Sequence, residues 1–128
     1  AHALNDAAQR FAAGILGAVD EARSVLTRAS AAGLEVVAAG AEPAWSLGAA
    51  NLLDALEKDF SEPPLRELRD AAAVATLAGL REWRPAAQTR FFRLLERRGA
   101  DSPLALEVAA ALGIAINFGA PPQKPEPA

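Results

Sequence analysis

The chain has 128 residues, 52% of them hydrophobic, with 33 alanines, no cysteine, no methionine, no tyrosine and a formal net charge of −3. That length supports one domain with its own core, and the lack of cysteine excludes thiol nucleophiles, thiolate metal sites and disulfides. Charge this close to neutral gives no whole-protein attraction for nucleic acid or anionic membrane, and few β-branched residues beside so much alanine argue for helices over sheet.

The first segment has the cleanest pattern. Leu4, Ala8, Phe11, Ile15, Ala18, Ala22, Val25 and Ala29 recur at spacings of four and three, with Val19 and Leu26 widening the stripe. The spacing predicts an amphipathic helix of about 28 residues that ends at Gly33. Gly14 and Gly17 weaken its middle by about 1 kcal/mol each relative to alanine and read as a kink or a close backbone approach. Residues 34–43 read as a short helix followed by a turn at Gly40 and Pro43.

Four further helices open on proline, which costs little in the first turn because its missing N–H has no partner there. From Ala44, the stripe is Trp45, Gly48, Leu52, Ala55, Leu56 and Phe60. From Pro64 it is Leu65, Leu68, Ala72, Ala75, Gly79 and Trp83. From Pro85 it is Ala87, Phe91, Leu94 and Leu95, closed by Gly99. From Pro103 it is Leu104, Val108, Ala111, Leu112, Ala115 and Ile116, with Asp101 or Ser102 as N-cap. Residues 120–128 are too rich in proline for regular structure and read as an extended linker.

These segments define an all-α fold: a single helical domain over residues 1–119, a compact orthogonal or up-and-down bundle of about five helices, and a proline-rich tail over 120–128. The most apolar run, Pro103 to Gly119, carries Glu107 and falls short of the roughly 20 residues that a membrane span needs, so the chain reads as soluble. Position 1 is alanine, which suits a processed form or an excised piece of a longer protein. Cytoplasmic and exported locations remain equally open.

Two segments carry resemblances. Pro64 to Leu80, a leucine-rich start running into an alanine block, resembles one helix of a HEAT or armadillo repeat, and Pro103 to Ile116 repeats the style about 39 residues later. That likeness implies helical pairs stacked in an array. Leu106 to Ile114 resembles the first helix and turn glycine of a helix-turn-helix, which would imply DNA binding. A basic recognition helix should follow, but the chain continues Ala115-Ile116-Asn117-Phe118-Gly119 into Pro121-Pro122. Nucleic acid is therefore not the favoured partner.

Chemistry is sparse. His2 is the only histidine, so the serines and threonines lack a base and a histidine metal site is out; no cofactor or metal is expected. Asp54 with Glu57, and Glu67 with Asp70, fall at helical spacing and read as solvated faces, not acid–base pairs. The polarised feature is a strip from Arg81 to Arg98, where six arginines face Glu82 and Glu96 for a local charge of +4. Arg90, Arg93 and Arg97 share one helical face.

The reading is a non-enzymatic protein–protein interaction or assembly module whose partner-binding residues are Arg90, Arg93, Arg97, Arg98 and Trp83, with an acidic protein as partner. Self-association through the seam of the first helix is the other partner expectation. The alternative function is a helical carrier of a small apolar ligand or lipid, because alanine-rich helices leave room for a cavity.

Overall fold

A computed structural model describes residues 2–34, 39–99 and 102–114. The proline-rich tail, most of the segment expected as a short helix after Gly33, and Ala115 to Gly119 lie outside the described residues. Among those described there are six α-helices and one 3₁₀ turn, with no strand. The helices are α1 (His2–Ala12), α2 (Ala18–Ala31), α3 (Glu42–Lys58), α4 (Glu62–Ala78), α5 (Arg84–Arg98) and α6 (Pro103–Leu112), and the 3₁₀ turn Ala39–Ala41 leads into α3. No described helix is long and apolar enough to cross a membrane.

The long first helix is two helices folded against each other. Gly14 and Gly17 both adopt the left-handed conformation, with φ of 77° and 85°, where residues with a Cβ pay about 1–2 kcal/mol. The α1 ladder closes through Gly14 N–H to the Phe11 carbonyl and Ile15 N–H to the Arg10 carbonyl. Across the turn, Arg10 Nε donates to Glu21 Oε1 at 2.8 Å, and its Nη2 pairs with Glu21 Oε2. Residues 11 apart in one unbroken helix would lie about 16 Å apart, too far for that bond. The reversal leaves the apolar spacing intact because both halves bury it: Leu4, Ala7, Ala8 and Phe11 from α1, and Ala18, Val19 and Ala22 from α2. Most of the seam expected to pair with a second copy is thus covered within the chain, with Val25 and Ala29 half-buried and Ile15 exposed.

Two more boundaries move for local reasons. α4 stops at Ala78 because Gly79 takes φ 76°, and Leu80 N–H bonds back to the Ala75 carbonyl. Gly79 and Trp83 therefore do not extend its stripe. α6 ends at Leu112, where Gly113 takes φ 82° and Ile114 N–H returns to the Ala109 carbonyl. In α3 the buried face includes Ala44, Ala49 and Leu53, while Ala55 is exposed and Leu52 half-buried.

The packing has a simple order. α3 touches α1, α4 and α5, while α4 touches α2, α3 and α6; α1 also meets α2, and α5 meets α6. Trp45, fully buried, sits where α1, α3 and α4 converge: its ring lies 4.5 Å from that of Phe11 and its Nε1 donates to the Ala71 carbonyl at 3.3 Å. That bond satisfies the one polar atom of a large apolar ring. One continuous cluster of leucine, alanine and aromatic side chains runs through all six helices.

Candidate functional site

Helix α5 carries the arginine strip, and its orientation follows from its apolar residues. Ala87, Phe91, Leu94 and Leu95 are buried, which points the intervening positions toward α3, α6 or solvent. The arginines divide accordingly. Arg90 Nη2 donates to Asp54 Oδ1 at 2.7 Å and Glu57 Oε2 at 3.0 Å, both on α3. Partial burial works against the Arg90 charge, but the bonds to Asp54 and Glu57 outweigh it and hold the guanidinium above its usual range. The two carboxylates expected on a solvated face are exposed, and they also pair with Arg90 of α5.

Arg98 and Arg84 are also engaged inside the chain. Arg98 Nη2 donates to the Glu57 carbonyl at 3.1 Å, near the end of α3. Arg84 Nη1 and Nη2 donate to the Ala111 carbonyl at 3.2 Å and Thr76 Oγ1 at 2.9 Å. Its guanidinium carbon lies 5.4 Å from the Trp83 ring centroid. Gln88 Nε2 adds a bond of 2.7 Å to the Leu112 carbonyl. The last carbonyls of α6, which have no helical partner of their own, are met by side chains from α5.

Trp83 is 2% exposed, and its Nε1 donates to the Leu80 carbonyl at 3.2 Å. It serves the core, so its ring is not displayed to a partner. Arg93 and Arg97 are the residues of the expected site that stand clear: both are exposed, and neither makes an ion pair or hydrogen bond among the described residues. Arg93 borders an open groove of about 470 Å³ shared with Gln88, Thr89, Phe92, Glu96 and Ile114.

A feature the sequence did not reveal lies against the same helix α3, beside the α1–α2 turn. The α1–α2 turn leaves Leu16 90% exposed and Ile15, a member of the apolar stripe, 49% exposed. Leu16 forms one wall of a second groove, of about 360 Å³, with Phe11, Leu52, Ala55, Pro63 and Pro64. Gly48 forms part of its lining, and the polar residues are Asn51 and Glu67. Burial first, then repulsion from Asp70 and Asp20, holds the Glu67 carboxyl above its ordinary range. The signal that could have exposed this groove was the glycine pair, which can reverse the chain as well as kink it.

No group of three or more potential metal ligands occurs among the described residues. Comparison of the chain with protein-family models, curated proteins and solved structures returns no match.

Proposed function

We propose that the chain is a non-enzymatic protein-interaction or assembly module that meets an acidic partner through Arg93 and Arg97 of α5, flanked by Arg90 and Arg98. The observation that carries this reading is the division of labour on one helix. The chain's own carboxylates pair with Arg10, Arg23, Arg66, Arg69 and Arg90, while Arg93 and Arg97 project without one among the described residues. Unneutralised guanidinium groups steer an acidic surface and offer it two-pronged hydrogen bonds. The groove beside Arg93 supplies apolar contact from Phe92 and Ile114.

The helix order supports an assembly role. The pairs α1–α2, α3–α4 and α5–α6 stack with odd helices meeting odd and even meeting even, an order that a short array of helical pairs would also have, and such arrays bind partners on extended surfaces. The test is an affinity-capture experiment with the full chain and the double variant Arg93→Glu/Arg97→Glu, followed by a salt titration of any recovered complex. Loss of the partner from the variant, and weakening with salt in the wild type, supports the reading. An unchanged partner with unchanged salt dependence overturns it.

A second reading, a helical carrier of a small apolar ligand, is favoured by the groove that Leu16 walls.

A further inference from the structure

We propose that the groove between the α1–α2 turn, α3 and the start of α4 binds an amphipathic cation: an alkyl or aryl body seated against Phe11, Leu16 and Leu52, with a primary ammonium group at Glu67. The inference rests on the carrier reading and adds the charge of the ligand. The groove's volume of about 360 Å³ lies at the lower end of small-molecule sites and suits an alkyl chain of about eight carbons.

The polar chemistry of the lining selects the head group. Asn51 spends one Nδ2–H on the Ala12 carbonyl at 2.9 Å, which leaves it one N–H and its carbonyl oxygen, so Asn51 suits either kind of head group and the choice falls to Glu67. Glu67 is the one ionisable group on the lining. It makes no ion pair or hydrogen bond among the described residues, whereas its neighbours on α4 are matched: Glu62 with Arg66 at 3.0 Å and Asp70 with Arg69 at 3.1 Å. The Glu67 carboxylate is therefore an acceptor without a countercharge among the described residues. An ammonium group, with three donors and a positive charge, complements that carboxylate, whereas a carboxylate ligand meets its like charge. Burial and the nearby Asp70 and Asp20, which push the Glu67 carboxyl up, are relieved by the same cation.

The experiment is an NMR titration of the ¹⁵N-labelled full chain with octylamine, octanol and octanoate, each below its micellar concentration. Octylamine is expected to shift the amides of Gly14, Gly48 and Asn51 saturably and to bind roughly five-fold more tightly than octanol, the return from one charge-assisted contact at a half-exposed site. Glu67→Gln should bring octylamine to the level of octanol, and retained octanol binding would show that the variant is folded. Leu16→Ser, at an exposed position outside the core, should weaken both alkyl ligands. Equal binding of octanol and octylamine, tighter binding of octanoate, or an octylamine preference that survives Glu67→Gln overturns the cation assignment while leaving a carrier. If none of the three moves those amides, the carrier reading falls with it.

Discussion

Phe11 of α1 occupies the space that a side chain at Gly48 of α3 would need. A Cβ there would lie 2.3 Å from Phe11 Cδ2, deep inside contact distance. The missing side chain lets α1 approach α3 and keeps the Phe11 ring against Trp45. Gly48→Ala should therefore destabilise the fold by roughly 1–3 kcal/mol despite alanine's better helix propensity, as over-packing does in cores. Urea unfolding measures it. Combining Gly48→Ala with Phe11→Leu should cost less than the sum of the single changes, because the smaller side chain vacates the same space.

The arginines of α5 should separate by stability. Arg93→Glu/Arg97→Glu should leave the unfolding free energy within about 0.5 kcal/mol of wild type, as surface changes do. Arg90→Ala should cost up to about 1 kcal/mol, since the guanidinium is partly exposed. Arg90→Glu should cost more than Arg90→Ala, because it sets a carboxylate against Asp54 and Glu57. Thermal unfolding of the variants gives the ranking, and equal effects at Arg90 and Arg93 would contradict the division drawn above.

Glu42 holds the turn that precedes α5. Its Oε2 accepts from the backbone N–H of Arg81 at 2.6 Å and of Glu82 at 3.1 Å. Glu42→Ala removes both bonds and should cost about 1–2 kcal/mol, comparable to the loss of a helix cap. Glu42→Gln keeps an acceptor oxygen and should cost less. Urea midpoints at constant slope check the order.

Glu67 should oppose folding at neutral pH. Its carboxyl is raised above the ordinary value of 4.5, first by burial and then by Asp70 and Asp20. A raised folded-state value means that stability is fully present below the ordinary value and falls as pH climbs through the raised one. Glu67→Gln should thus match wild type in acid and exceed it above that window, by less than about 1 kcal/mol because water screens a carboxyl of this exposure. Melting temperatures compared across the carboxylate range test the sign.

Helix starts were legible because proline in the first turn and three- or four-residue apolar spacing act locally. Pro63, Pro85 and Pro103 all lie in the first turn of their helices. The site was less legible. Spacing put Arg90 and Arg93 on one helical face, yet Asp54 and Glu57, on a different helix, engage the first and leave the second to solvent. Trp83 followed the same rule: an indole beside proline has no marker of its own burial, and the turn after Gly79 places it in the core.

The sequence by itself determined a helical chain, the punctuation of its helices, and the lack of cysteine beside a single histidine, since composition and short-range spacing set these. Tertiary structure decided the rest. Gly14 and Gly17 read as a kink or a close backbone approach, and the structure makes them a reversal, the form in which α1 and α2 both bury their stripes and Arg10 meets Glu21. The same turn brings Leu16, Leu52 and Glu67 to one groove. A helix face is written in neighbours three and four apart; what that face touches depends on chain dozens of residues away.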